Sequence, residues 1–302
     1  MGPVLSVFLE VILPVAVVAV LGGAVGRWRG VTVPPLSALS FYLFSPALVF
    51  DSLSTTDLSF REGAEIFAVI ALTTLGLLAL AGGWAGGRRL DRNGRAAFLL
   101  TVVAPNAGNM GLPVAALAFG QVGQEVGVVH LVGSTLIANT AGIAVASMAD
   151  GDLRRALRAP FSYPFLYAGV AAVLVRAADV ELPTVVTAPA ASLAGAAIPI
   201  MLVVLGLQLK NVATTEGALD LGASAAGRLL VAPLVVWAST MVIGLDGLER
   251  DVLIVVGAMP TAVFTTIIAA EFKLTSDFVT RAVITSTLAS IATLTGLITL
   301  LR

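Results

Sequence analysis

The most informative part of this sequence is "APNAGNMGLP", residues 104–113, which places two prolines, two glycines and two asparagines inside a hydrophobic run. Proline removes a backbone donor and clashes with the carbonyl one turn earlier, so it interrupts a helix. Glycine lets the freed chain turn without side-chain strain. Non-helical backbone within a membrane is tolerated only where protein or a watery cavity surrounds it. The stretch therefore predicts an interrupted membrane helix that lines a cavity.

The composition is that of a polytopic membrane protein. The chain has 302 residues, of which 58% are hydrophobic and 12% are charged, whereas soluble domains are about one quarter charged. Its mean hydropathy is +1.01. There is no cysteine and a single histidine, which excludes thiolate and multi-histidine metal sites. No nucleotide-binding loop is present, so we expect no cofactor and no direct use of ATP.

We predict an all-α fold with ten transmembrane helices, because the apolar runs are about twenty residues long, the length of a membrane-spanning helix. The connections are short, which leaves no room for an extramembrane domain. The ten spans lie near residues 4–26, 36–54, 64–86, 96–119, 127–148, 161–177, 189–209, 221–244, 251–270 and 279–300.

The distribution of the 17 basic residues predicts the orientation. Four of them, Arg61, Arg176, Arg250 and Arg302, fall on one side and all others on the opposite side, which the positive-inside rule places in the cytosol. Both termini are then outside. The same distribution leaves no basic residue near the middle of any span, and Arg228 is expected to reach the cytosolic interface. The cytosolic set is Arg27, Arg29, Arg88, Arg89, Arg92, Arg95, Arg154, Arg155, Arg158, Lys210, Arg228, Lys273 and Arg281.

The two halves of the chain, residues 1–150 and 151–302, resemble each other weakly. Pro46 in span 2 corresponds to Pro199 in span 7, and Pro105 in span 4 corresponds to Pro260 in span 9, with a common offset of about 150 residues. Halves of five spans each must be inverted relative to one another. Interrupted helices at matching places in inverted repeats are typical of secondary transporters.

The two interruptions predict an anion-binding site. Pro105 and Pro260 lie about halfway through their spans, so two half-helix N-termini are expected near the bilayer midplane, each with unpaired amides and about +0.5 charge. Such ends bind anions without a buried cation. Asn139 in span 5 is expected to face this site, although a pair of purely structural kinks is the alternative. The candidate substrate-binding residues are Pro105, Asn106, Gly108, Asn109, Asn139, Pro260, Thr261 and Thr265.

Two intramembrane carboxylates, Glu10 in span 1 and Glu271 at the end of span 9, are candidates for proton coupling. Each also lies close enough to an interface for a solvated or packing role. His130, early in span 5, is expected near the outer boundary as an interfacial or hydrogen-bonded residue.

The motifs resemble those of the auxin efflux carrier family, within the superfamily of bile acid–sodium symporter-like proteins. The similar stretches are "PNAGNMGLP", "MPTAVFTTIIAAEF" and "FYLFSPALVF". The resemblance implies a scaffold of spans 1, 2, 6 and 7, a transport bundle of spans 3–5 and 8–10, and a crossing of spans 4 and 9. It also implies elevator-type alternating access, a homodimer formed through scaffold helices 2 and 7, and contact between Asn106 and the substrate carboxylate.

This chain departs from the plant members of that family. Asn109 and Thr261 replace other side chains, and the long cytosolic loop is missing. A carrier of the cytoplasmic membrane of a prokaryote is therefore implied.

The leading hypothesis is a secondary transporter for small organic anions, either auxin-like or malate-like carboxylates. The alternative is a sodium- or proton-coupled symporter or antiporter of the same architecture, although no carboxylate lies near Pro105 or Pro260 in the sequence. An intramembrane enzyme is disfavoured because neither a serine–base pair nor two facing midspan aspartates occur. The expected partners are the anion, the lipid bilayer and a second copy of the chain, with no nucleic acid.

Overall fold

The computed structural model describes residues 2–150, 158–208 and 218–302. Within these ranges the backbone is helical almost throughout and forms no β-strand, which confirms the all-α class. The predicted cytosolic residues Arg154, Arg155 and Lys210 lie outside the described ranges. The helices are α1 (Pro3–Arg29), α2 (Val33–Thr55), α3 (Phe60–Gly87), α4 (Arg92–Val103), α5 (Ala107–Ser147), α6 (Pro164–Ala177), α7 (Thr184–Gln208), α8 (Ala218–Ile243), α9 (Gly247–Gly257), α10 (Thr265–Glu271) and α11 (Ser276–Leu301).

Seven helices of the described part are long and apolar enough to cross a membrane, namely α1, α2, α3, α5, α7, α8 and α11. The predicted spans 4, 6 and 9 do not form single long helices. Span 6 is the 14-residue α6, while spans 4 and 9 are divided near their prolines.

Helix α5 changes direction at Gly120, whose φ of 63° and ψ of −139° are readily adopted by glycine. Gly120 separates a first arm, residues 107–119, from a second arm, residues 121–147.

Prolines widen the helical turn that precedes them. A proline inside a helix cannot donate to the carbonyl four residues earlier and clashes with it, so the ladder shifts locally to a π-helical turn. Four π-helical turns in the described residues end two residues before a proline; these turns are Phe8–Ile12, Ser40–Phe44, Ala107–Gly111 and Gly227–Val231. The prolines that follow them are Pro14, Pro46, Pro113 and Pro233.

Helices α1 and α7 pack backbone against backbone. A Cβ placed on Gly206 would lie 1.7 Å from the carbonyl oxygen of Ala19, and one placed on Gly23 would lie 2.8 Å from that of Gly206. Small residues are the usual means by which membrane helices approach closely. Helix α2 packs on both α6 and α7. Helices α1, α2, α6 and α7 therefore form one connected group.

A second group of helices surrounds the two interruptions. Helix α3 packs on α4 and α8, the second arm of α5 packs on α4, and α9 packs on α5 and α8. Helix α11 contacts α8, α9 and α10. The ends of α4 and α9 are fully enclosed by this packing, since residues 96–107 and 252–262 are all buried.

The α1–α7 contact predicts a position-specific effect of adding one methyl group. Gly206→Ala is expected to lower the free energy of unfolding by about 1–3 kcal/mol, because the methyl group overlaps backbone that cannot move aside cheaply. Thermal unfolding of the purified protein in detergent measures the loss.

The matched control is Gly195→Ala on the same helix, where an added Cβ meets nothing within 4 Å. That variant is expected to leave the melting temperature unchanged or to raise it, since alanine favours a helix over glycine by about 1 kcal/mol. Equal melting temperatures for the two variants would contradict the close backbone approach.

Candidate functional site

The two interruptions pair with each other as a short antiparallel bridge between Pro105 and Thr261. Two backbone hydrogen bonds flank the pair, with N···O distances of 2.8 and 3.0 Å: from Asn106 to Pro260, and from Ala262 to Ala104. Each break thus satisfies backbone groups that the other break has freed. Buried backbone groups require such partners. We call residues 104–106 and 258–264, with the helix ends that adjoin them, the crossover.

Thr261 supplies the donor that Pro105 cannot. In an unbroken helix the Thr101 carbonyl would accept from residue 105, but proline carries no N–H. The Thr261 hydroxyl donates to that carbonyl at 2.8 Å instead. Its own amide donates to the Ser286 hydroxyl of α11 at 3.1 Å. Thr261, which is fully buried, therefore fixes α4 and α11 to the second break.

Asn106 presents a buried donor without a partner. The residue is 4% exposed, and its φ of −78° and ψ of 62° make an inverse γ-turn. Its carbonyl accepts from the Gly111 amide at 2.9 Å. Its side-chain nitrogen Nδ2, however, has no hydrogen-bond partner among the described groups. An unsatisfied buried donor costs about 1–3 kcal/mol, so this amide nitrogen is a natural contact for a ligand acceptor.

The first turn of α5 follows Asn106 directly. The first amides of a helix have no intrahelical acceptor and carry partial positive charge. Gly108 and Asn109 are half-buried there. The Asn109 side chain donates to Oε1 of Gln208 at 3.4 Å, which places it against the end of α7. Gln208, the last described residue of α7, is thus a neighbour of the crossover.

The second half-helix end is not equivalent to the first. Helix α10 has only 7 residues, and its first amides donate to carbonyls three residues earlier, for example Thr265 to Ala262 at 3.1 Å and Thr266 to Val263 at 3.0 Å. The Thr265 hydroxyl donates to the Ala262 carbonyl as well. The sequence predicted two equal open ends, and this expectation is wrong for α10, because the turn has tightened onto its own carbonyls.

Arg228 lies inside the protein at the crossover, contrary to the prediction from the sequence. It sits in the middle of α8 and is 1% exposed. Its guanidinium donates to the Val102 carbonyl at 2.8 Å, to the Met259 carbonyl at 3.1 Å and to the Gly257 carbonyl. In unbroken helices Val102 and Gly257 would accept from residues 106 and 261, but those amides donate elsewhere. Both the predicted interfacial position and the absence of a midspan cation are therefore wrong.

His130 is buried as well. It is 5% exposed, and its Nδ1 has no hydrogen-bond partner among the described groups. Together with Arg228 and Pro105 it lines a cavity of about 20 Å³, large enough for one water molecule. His130 thus lies in the protein interior beside Arg228 and Pro105, and not on the protein surface.

A family model described as a membrane transport protein matches the chain twice, over residues 7–151 and over residues 144–298. The chain belongs to this membrane transport family. The resemblance to auxin efflux carriers is thereby confirmed. A relative from Methanothermobacter thermautotrophicus, described as an uncharacterized transporter, is 28% identical over 294 residues, which cover 94% of this chain and 95% of the relative. Family and relative indicate an integral membrane transport protein rather than an enzyme.

The other residues that the sequence suggests for substrate binding or proton coupling lie in different environments. Asn139 is half-buried in the second arm of α5, and its Oδ1 has no partner among the described groups. Glu10 is exposed and lies 3.9 Å from Arg302 at the other end of the described chain. Glu271 is exposed at the end of α10. The crossover itself brings together Pro105, Asn106, Pro260 and Thr261.

Glu125 is a buried carboxylate that reasoning from the sequence missed. The Thr56 hydroxyl at the end of α2 donates to it at 2.6 Å, and the Gln121 side chain donates to it at 2.9 Å. Glu125 falls between the predicted spans 4 and 5, in a segment expected to be a loop. Continuation of α5 past Gly120 could not be read from hydropathy, because the sequence "GQVGQEVG" is polar and glycine-rich.

Thr261→Val tests the hydrogen bond from the Thr261 hydroxyl to the Thr101 carbonyl. Valine keeps the shape but leaves the Thr101 carbonyl without a donor, so the free energy of unfolding is expected to fall by about 1–3 kcal/mol. The control is Thr266→Val, which removes a hydroxyl bonded only to the Val263 carbonyl of its own turn and is expected to cost much less. The two melting temperatures are compared in detergent, and equal values would contradict the assignment.

Proposed function

We propose that this protein is a secondary carrier for small organic anions, chiefly carboxylates, and that the crossover binds them. The observation that carries the proposal is the unpartnered Nδ2 of Asn106, buried beside the open first turn of α5. This nitrogen and the first-turn amides are all hydrogen-bond donors. A helix N-terminus with such a donor set favours a carboxylate over a neutral or cationic group. Auxin-like and malate-like acids are the substrate classes to test first.

The proposed architecture has ten spans in two inverted repeats, residues 1–150 and 151–302. Span 4 is α4 with the first arm of α5, and span 9 is α9 with α10. The twofold match of one family model supports repeated halves, and so does the pairing of the two breaks at Pro105 and Thr261. In this arrangement the half-helix ends lie near the bilayer midplane, where they act on an ion with little screening by water.

The proposed mechanism is elevator-type alternating access. The connected group α1, α2, α6 and α7 would be the scaffold, and the helices around the crossover would move against it. Asn106 is 4% exposed and Asn109 is bonded to Gln208 of α7, so the conformation described here corresponds to a closed site. Breaking the 3.4 Å contact between Asn109 and Gln208 is then one step of opening.

The proposed setting is the cytoplasmic membrane of a prokaryote, with both termini outside and a homodimer formed through α2 and α7. Exposed apolar residues on these helices, such as Leu39 and Tyr42 on α2 and Val185 on α7, give the surface for such contact or for lipid. An inside-negative potential would assist export of a monoanion by about 2.3 kcal/mol per 100 mV. Uptake would require coupling, for which Glu10 and Glu271 remain the predicted carboxylates.

Asn106→Ala is expected to reduce anion binding and flux by about tenfold or more, which corresponds to loss of a hydrogen bond to a charged group worth about 1.5–3 kcal/mol. Flux of labelled malate, malonate and indole-3-acetate into proteoliposomes is measured, with and without a sodium or proton gradient. Dissociation constants for the same acids come from calorimetry on the purified protein.

The matched control is Asn93→Ala, which removes an exposed asparagine from the start of α4. It is expected to leave flux unchanged. Wild-type levels of binding and flux in Asn106→Ala for every transported acid would refute the site. Flux that requires a sodium or proton gradient would favour the coupled symporter or antiporter over the simple carrier.

A further inference from the structure

We propose that Arg228 sets the net charge of the crossover and so makes it select anions over neutral solutes of the same shape. The inference rests on the proposed function and extends it to a residue that does not touch the substrate. Arg228 acts here as a positioning residue, through the helix ends that it contacts.

The contacts of Arg228 are confined to helix C-terminal carbonyls. Val102 is the second-last residue of α4, Gly257 is the last residue of α9, and Met259 lies two residues beyond that end. All three carbonyls accept from the one guanidinium. Each helix C-terminus carries about −0.5 charge, so the single positive charge of Arg228 balances the two ends together.

The charge of Arg228 is not offset by a carboxylate in the described part of the chain. The ion pairs found there involve other arginines. The small cavity beside the guanidinium is lined by Thr73, Thr74, Ser134 and His130 together with apolar residues. A buried cation without a carboxylate partner is costly, and it is tolerated here because the helix ends supply the opposing charge.

The consequence is an imbalance in favour of positive charge. A crossover of two broken helices brings two C-termini and two N-termini together, so their partial charges cancel to a first approximation. The positive charge of Arg228 neutralises the negative partial charge of the two C-termini. The open first turn of α5 then presents its positive charge and the Asn106 amide without an opposing field. Without Arg228 the two C-termini would oppose that positive charge, so the preference for a carboxylate over a neutral amide would be weaker.

The test compares acids with their neutral amides, because a purely structural role of Arg228 would weaken both ligands alike. Dissociation constants are measured on the purified full chain for malonate against malonamide and for indole-3-acetate against indole-3-acetamide. The wild-type protein is expected to prefer the acid. Arg228→Lys, which keeps the charge, is expected to retain most of that preference, whereas Arg228→Met is expected to reduce it by about tenfold or more.

A second pair of variants leaves the arginine in place, in case Arg228→Met does not fold. Ser224 is fully buried one turn before Arg228 on α8 and donates to the Thr101 hydroxyl at 2.8 Å. Residues four apart on a helix are neighbours, so Ser224→Asp places a carboxylate beside the guanidinium. This variant is expected to lose the acid preference, while Ser224→Asn, equal in size and uncharged, keeps it.

The outcomes separate the two proposals. Acid preference that survives in Arg228→Met, or that is equal in the aspartate and asparagine variants, overturns the role of Arg228 and leaves the carrier function intact. A wild-type protein that binds none of the acids overturns both. A parallel loss of acid and amide binding in both Arg228 variants also overturns the inference, because it shows a structural role alone.

Discussion

The structure depends on the rule that buried backbone polar groups must be paired. Pro105 and Pro260 interrupt two helices inside the protein and free carbonyls and amides that water does not reach. Several freed groups have an identifiable replacement: the two breaks bond to each other, the Thr261 hydroxyl donates to the Thr101 carbonyl, and Arg228 donates to the carbonyls at the ends of α4 and α9. The breaks are therefore stable only as a pair, and only with α8 and α11 packed around them.

The pairing of backbone groups also makes the two helix N-termini at the crossover different. The end at α10 tightens onto its own carbonyls, and the end at α5 stays open beside the buried amide of Asn106. A site with one open end can orient a ligand that has one anionic group at a fixed point. The asymmetry arises because three residues separate α4 from α5, whereas seven separate α9 from α10, which gives the second break enough chain to close on itself.

Helix α7 makes two kinds of contact, one through backbone with α1 and one through side chains with the crossover. Helices α1 and α7 approach each other backbone to backbone at Gly23 and Gly206, which leaves little freedom to slide. The crossover meets α7 through side chains, namely the Asn109–Gln208 pair at 3.4 Å and an apolar cluster that contains Met110, Leu202 and Leu205. In a carrier of the proposed kind, motion would occur at this side-chain interface, since side chains can repack more readily than two backbones in direct contact can slide.

The sequence by itself was sufficient for the all-helical membrane class, the family, and the positions of the two breaks. Apolar runs of membrane length and prolines at corresponding positions are local features, so they can be read directly from the sequence. It also singled out Asn106, which the structure shows buried at the first break with no partner for its Nδ2 among the described groups.

Only the tertiary structure decided which groups meet. Hydropathy predicts an interfacial Arg228 because it treats an arginine as an isolated charge, whereas in the structure the guanidinium donates to three carbonyls at the ends of α4 and α9. The sequence makes Thr261 a candidate contact for the solute, but only the structure shows that its hydroxyl donates to a carbonyl freed 160 residues away. The segment around Glu125 reads as a loop in the sequence and is helix in the structure. Each of these depends on contacts between distant segments, which no single stretch of sequence encodes.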